Sequence, residues 1–213
     1  FAGMIEDRAI LLECAWRSLL LLLAGYAAGV TAGLAVGMTI GWFARARYWG
    51  MPVLRVLGPM PATALVALAM TLFSQPFLSG AALIGYAVTF PVTIMTSTGI
   101  SNINKSYIDV ARTLGAGRPY LIFRVALPAA LPTVFIGLFM GLLVSFLTLP
   151  VAETVGVPAG LGWYLKWQQG ANMDYAKVDA DLLLMAVFFA TLMTLLFRVR
   201  DRLLKWQKGV IRW

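Results

Sequence analysis

The sequence predicts an all-α, polytopic membrane bundle of five spans, and three observations predict it. The first is composition. Of 213 residues, 61% are hydrophobic and only 12% are charged, whereas a soluble domain carries about 25% charged residues. The second is the length of the uncharged runs. Residues 18–44, 56–104, 125–152 and 182–197 carry no charge, and a spanning helix needs roughly 20 apolar residues. The third is where the cations fall. All but Arg8, Arg17, Lys166 and Lys177 of the 17 basic residues lie in 45–55, in 101–124 or from 198 onward. These are alternate connections if the spans are about 18–42, 56–74, 80–100, 127–149 and 181–198. Cytoplasmic loops collect Lys and Arg, so residues 101–126 and the C-terminus are expected in the cytoplasm and the N-terminus outside. The whole chain, 1–213, reads as one transmembrane domain.

The same composition excludes several chemistries. There is no histidine, so His-based zinc sites and Ser-His-Asp or Cys-His catalysis are absent. Cys14 is alone and has no intrachain disulfide partner. No metal site, cofactor or catalytic residue is expected. The net charge of +8 reports topology rather than nucleic acid.

Taken in order, residues 1–17 read as a short amphipathic helix at the outer interface, with Ile5, Ile10, Leu11, Leu12, Ala15 and Trp16 on its apolar side. An outside N-terminus on a chain that begins at Phe1 leads to the expectation of one more span upstream; a removed signal peptide is the alternative. The first span carries Gly25, Gly29, Gly33, Gly37 and Gly41. Four residues advance a helix by about 400°, so these glycines form one stripe that lets another backbone approach closely. Packing inside its own bundle is favoured over dimerisation.

Residues 45–58 read as a short basic loop broken at Pro52 and Gly58. Gly58-Pro59-Met60-Pro61 opens the second span, and Ser74, Gln75, Pro76, Ser79 and Gly80 supply the next turn. Pro91 is expected to kink the third span. Thr89, Thr93, Thr96 and Ser97 share one face of it. Such a stripe lines a solute path or bonds its own and neighbouring backbones. Ser145 and Thr148 of the fourth span are further path candidates.

The polar segment between the third and fourth spans carries its own helix signals. Ser106 with Asp109 fits a capping box. Ile103, Tyr107, Ile108, Val110, Ala111 and Leu114 form an apolar face at helical spacing. Gly115 and Gly117 stop the helix, and Pro119 starts another. A short amphipathic helix of this kind lies on lipid or docks in a partner's groove.

Beyond the fourth span, Glu153 is an acid near the outer membrane edge, read as a solvated rim charge or a contact for another protein. Gly162, Trp163, Tyr164, Trp167 and Gln168 suggest an interfacial or re-entrant helix at the outer face. The basic tail after Arg198 is expected to sit on anionic lipid headgroups.

Asp109-Val110-Ala111, three residues, Gly115, nine residues and Val125-Ala126-Leu127-Pro128 closely resemble the loop of ABC importer permeases that runs Glu-Ala-Ala, three residues, Gly, nine residues, Ile-x-Leu-Pro. Asp109, Val110 and Val125 depart mildly from that pattern, and Val110 adds bulk where the family prefers a small side chain. Leu57-Gly58-Pro59-Met60-Pro61-Ala62, Ala152-Glu153 and Gly160-Leu161-Gly162 resemble the nitrate/sulfonate/taurine/bicarbonate branch. Ser74-Gln75-Pro76 departs from it.

The resemblance implies a permease subunit for a small solute. Two cytoplasmic ATPase subunits, a second permease subunit and an external solute-binding protein would work with it. It implies that Asp109, Val110, Ala111, Arg112, Gly115, Leu127 and Pro128 couple to the ATPase. Glu153, Gly160, Gly162 and Trp163 would meet the binding protein. No G-x-x-x-x-G-K-[S/T] phosphate loop occurs, so ATP hydrolysis is expected in a separate polypeptide. The alternative is an ATP-independent secondary transporter or channel, which would use ionisable groups within its spans.

Overall fold

The computed structural model describes residues 8–155, 157, 159–172 and 175–206. The expectations placed on Ile5 and on the basic residues Lys208 and Arg212 lie outside the described residues. The described part is helical. Among the described residues four helices are long and apolar enough to cross a membrane, and one bent pair passes the same test when its halves are taken together.

Helix α1 (Arg8–Trp42) absorbs what the sequence suggested was a separate interfacial helix. The reason is local: residues 8–24 contain neither Gly nor Pro, so nothing stops the helix. A Glu13–Arg17 pair at 2.7 Å adds a one-turn bridge.

The glycine stripe decides where α1 sits. Against α4 (Pro76–Ser101), Gly25 faces Ile84, Gly29 faces Val88, Gly33 faces Val92, Gly37 faces Thr96 and Gly41 faces Ile100. A Cβ on any of these glycines would stand 2.6 to 2.9 Å from the Cβ it faces. Both series rise together along the chain, so α1 and α4 run parallel. Packing within the bundle is therefore what the stripe does. Parallel neighbours have a topological consequence, because the chain between them must return the full length of the bundle.

It returns in two halves. Helix α2 (Ala44–Leu57) and the stretch Ala62–Leu72, a 3-10 turn followed by α3 (Val66–Leu72), meet at 83°. This corrects both the basic loop expected over 45–58 and the unbroken span expected over 56–74. Pro52 does not break α2. The break comes at Gly58–Pro61 instead, where two prolines remove backbone donors and push their predecessors out of helical geometry. The loose ends are paired: Tyr86 Oη donates to the Leu57 carbonyl at 2.7 Å, and Gly58 N donates to the Leu54 carbonyl at 2.9 Å.

The following turn is Phe73–Gln75, with Pro76 opening α4. Ser79 and Gly80 belong to the helix, not to the turn. Ser79 Oγ reaches back to the carbonyls of Ala69 and Phe73, each at 3.2 Å, and staples the turn shut. α4 continues through Pro91.

After α5 (Lys105–Thr113), helix α6 (Arg118–Val155) is longer than the expected fourth span at both ends. Its π-helical stretch Leu121–Ala126 precedes Pro128, whose missing N–H interrupts the regular ladder. α6 packs on α4 antiparallel: Gly99 meets Ala130 and Thr133, Gly137 meets Val92, and Gly141 meets Val88. Leu21, Leu22, Ile84, Val88, Val92, Leu142 and Leu149 form the core where α1, α4 and α6 meet. Helices α7 (Leu161–Trp167) and α8 (Tyr175–Leu203) complete the chain. α8 lies on the outside of this core through Phe188, Phe189, Leu192, Met193 and Leu196.

Candidate functional site

The segment singled out in the sequence hangs from the ends of α4 and α6. Its cap is not the expected capping box. Asn104 is the N-cap of α5, and its Oδ1 accepts from the Ser106 N–H at 3.0 Å. Ser106 is thus inside the first turn, and Asp109 pairs with Arg112 at 3.9 Å on an exposed face.

The stop is more exact than the sequence alone required. Gly115 N donates to the Arg112 carbonyl at 2.9 Å and Ala116 N to the Ala111 carbonyl at 3.0 Å. Together these are the two bonds of a Schellman motif, with Gly115 at the left-handed position. Its φ is 84°. Nothing lies within 4 Å of the place a Cβ would take, so backbone conformation alone selects glycine there. Gly117 then starts α6 in ordinary extended geometry.

The apolar face of α5 is uncovered. Tyr107 is 62% exposed, Val110 60% and Leu114 83%. With Tyr120, Val125 and Trp206 they border a groove of about 1070 Å³ that also reaches Ala111, Gly115 and Pro128. The structure thus gathers Val110, Ala111, Gly115 and Pro128 at one groove. The bulk of Val110 points into open space, so this departure from the family pattern meets no clash. Leu127 is half-buried in the first turns of α6. Asp109 and Arg112 border a separate cleft with Ile103 and Ile108.

Two contributors escaped the sequence reading. Trp206 is one. Arg47 is the other: its Nη2 donates to the Gly41 carbonyl at 2.7 Å and to Ser101 Oγ at 2.6 Å. It clamps the C-terminal ends of α1 and α4, from which α5 is suspended. The available signal was a basic residue just past a helix end, where it meets free carbonyls and the negative end of the dipole.

Five of the six hydroxyls of the polar stripe are spent on helix contacts, and Thr96 Oγ1 is buried with no hydrogen-bond partner among the described residues. Thr93, Thr96, Ser97, Ser145 and Thr148 are buried and Thr89 is half-buried. Thr89 donates to the Gly85 carbonyl at 2.7 Å, and Thr93 bridges to the Gly33 carbonyl at 3.3 Å. Ser97, Ser145 and Thr148 bond carbonyls of their own helices. Thr148 also borders a groove open to the outside, a cavity of about 1010 Å³ beside the break in the second span.

At the far end of the bundle Glu153 is not a rim charge. It is 1% exposed. Its carboxylate accepts from Ser18 Oγ at 2.5 Å and from the Gly162 N–H at 2.7 Å, while Ser18 Oγ accepts from the Leu161 N–H at 2.9 Å. One acid therefore ties α1, α6 and α7 together. Gly160 has φ 109°, and a Cβ there would collide with that carboxylate. A Cβ on Gly162 would stand 2.6 Å from Pro150 Cα. Of the four residues assigned to an external contact, only Trp163 is partly accessible, stacked against Trp167 with ring centres 5.5 Å apart. Asp181, placed by sequence at the start of the last span, is fully buried with no hydrogen bond to either oxygen.

Comparison with known proteins agrees with this architecture. The chain matches the family model described as binding-protein-dependent transport system inner membrane component over residues 29–208. It is 31% identical to the aliphatic sulfonates transport permease SsuC of Bacillus subtilis, over 87% of this chain and 67% of that one. It is 27% identical to the nitrate import permease NrtB of Synechococcus elongatus, over 73% and 53%. It is 29% identical to the taurine permease TauC of Escherichia coli, over 75% and 58%. The chain thus spans roughly half to two thirds of the length of these relatives. A solved structure of the MetNI methionine ABC transporter, in an inward-facing conformation, superposes with a TM-score of 0.79 at 16% identity, covering 93% of this chain and 98% of that one. This chain belongs to the family of binding-protein-dependent transport system inner membrane components.

Proposed function

We propose that this chain is the permease subunit of an ATP-driven importer and that α5 is the element seated in a cytoplasmic ATPase subunit. The observation that carries the reading is the uncovered apolar face of Tyr107, Val110 and Leu114, held on a helix whose cap and Schellman stop fix its shape. An amphipathic helix presented this way is suited to a partner's groove. The sequence holds no phosphate-binding loop, so ATP is hydrolysed by that partner.

Motion of α5 passes directly to α4 and α6. It is the connection between them, and they are locked to each other through Gly99, Gly137 and Gly141. The two arrangements of the bundle would then be biased by how the ATPase holds α5 in each. A second permease subunit, identical or homologous, completes the path. An external binding protein docks near Trp163 and α7. The end of the bundle bearing α5, with the C-terminus, faces the cytoplasm, as its Lys and Arg content supports. The solutes named for the relatives, sulfonates, nitrate and taurine, support a small polar or anionic solute.

The test is purification of the tagged chain from its native membrane with and without Leu114→Asp. Wild type brings an ATPase subunit with it and the variant loses it while staying in the membrane. A wild-type chain that purifies without any ATPase overturns the reading. The buried, unpaired Asp181 supports one other reading, a carrier driven by protons, because an ionisable group inside a span is what such a carrier needs. Uptake that survives ATP depletion and collapses with a protonophore would select it.

A further inference from the structure

The second span carries a cation where the sequence placed a loop. Arg47, near the start of α2, is bonded to Ser101 at the end of α4, and Leu57, at the other end of α2, is bonded to Tyr86. α2 therefore climbs along α4. A helix rises about 1.5 Å per residue, so Tyr86 stands about 22 Å above Ser101. The hydrocarbon core of a bilayer is about 30 Å thick. Arg55, less than one turn before Leu57, thus stands beside the length of α4, a helix long and apolar enough to cross a membrane, and not beyond its end.

Arg55 lines the groove of about 1010 Å³ beside the broken span, with Met60, Tyr86, Phe90, Leu147 and Thr148 among its walls, and among the described residues it is the only charged one lining that groove. Its side chain is exposed, and among the described residues it makes no ion pair or hydrogen bond. A charge within membrane depth faces a cavity and pairs with something. Non-helical backbone at that depth, here Gly58–Pro61, is tolerated where it lines a cavity.

We propose that Arg55 binds the negative group of the transported solute in this groove, and that the apolar walls take its hydrocarbon part. The solute class is a small organic oxyanion, a sulfonate or carboxylate with a short apolar tail. The volume suits a small molecule, and guanidinium matches such oxyanions in a two-pronged fork. The inference rests on the permease reading and deepens it.

Electrostatics at the groove can be tested without transport. Met60→Cys places a thiol on the same wall, and the native Cys14 is buried. In membranes, the rate of modification by the anionic sulfonatoethyl methanethiosulfonate is divided by the rate for its cationic trimethylammonium analogue. Adding R55Q should lower that ratio about tenfold, the scale on which one sign of charge concentrates ions in a cleft. A ratio unchanged by R55Q, or a thiol that neither reagent reaches, overturns the proposal.

In the complete transporter, ethanesulfonate uptake should fall sharply with R55Q and recover largely with R55K. Equal loss in both variants shows that the charge is not what matters and also overturns it. If wild type carries no ATPase, the importer reading fails, and the labelling ratio still decides whether Arg55 attracts an anion.

Discussion

Ser18 Oγ lies 2.5 Å from the Glu153 carboxylate and at the same time accepts the Leu161 N–H at 2.9 Å. A hydroxyl that donates to one helix and accepts from another acts as a rivet between α1, α6 and α7. Glu153→Ala leaves the Ser18 hydroxyl and the Gly162 N–H without an acceptor in a buried place. Each such orphan costs about 1–3 kcal/mol, so we expect a loss of about 2–4 kcal/mol, read as a lower Tm of the purified chain in detergent. Ser18→Ala should cost less. The double variant should cost clearly less than the two single losses added, because they break one network. Strict additivity would show that the rivet is not a unit.

Gly29 tests the α1–α4 seam. A Cβ there would stand 2.6 Å from the Gly85 carbonyl oxygen and 2.6 Å from Val88 Cβ. Backbone cannot swing away as a flexible side chain does, so Gly29→Ala must part the two helices. Overpacking of this kind costs about 1–3 kcal/mol. Thermal unfolding should show it, and disulfide trapping between cysteines on α1 and α4 should slow. An unchanged Tm would mean that the seam is looser than described.

These two sites also show what could and could not be read from the chain. The glycine stripe was legible because a spacing of four repeated over five residues has one geometric meaning on a helix. The four long apolar helices were legible from hydropathy. The broken second span was not: Pro52 and the Gly58–Pro61 cluster look equally disruptive in sequence, yet the first is tolerated inside α2. Glu153 was misread because a lone acid beside a span looks the same whether it is solvated or buried under α7. Its partners Ser18 and Gly162 are remote or uncharged. Gly115 was read correctly as a turn glycine because its role is local and lies in its own φ. The groove beside α5 was only half legible, since Trp206 reaches it from the far end of the chain.

Gly115 and Gly117 separate conformation from space. Both have room for a methyl group, but only Gly115 has positive φ. Gly115→Ala pays about 1–2 kcal/mol for the left-handed geometry and should loosen the end of α5. Gly117→Ala should be silent. Gly115→Asn should recover much of the loss, because Asn visits that region more readily. The measurement is the fraction of chains that retain the ATPase subunit, together with ATP-dependent uptake. Equal behaviour of the Gly115→Ala and Gly117→Ala variants would refute a role for the Schellman turn.

Arg47 offers the last test, because it joins the two helix ends from which α5 hangs. Its Nη2 contacts the Gly41 carbonyl and Ser101 Oγ at once, while Nε donates to the Ile40 carbonyl at 3.3 Å. Arg47→Lys keeps the favourable charge at two helix C-termini, an effect of about 0.3–1 kcal/mol, but a single ammonium lacks the planar fork whose second nitrogen reaches Ile40 as well. Arg47→Gln loses the charge as well. Stability should therefore fall in the order wild type, R47K, R47Q, with the whole range about 1–2 kcal/mol. The effect on coupling should be larger than the effect on Tm, since the clamp joins the ends of α1 and α4 just before the chain enters α5. The measurement pairs thermal unfolding with the ratio of solute taken up to ATP hydrolysed. A fall in Tm with that ratio unchanged would reduce Arg47 to a stabilising cap; a lower ratio at nearly unchanged Tm would make it part of the route by which movement of α5 reaches α1.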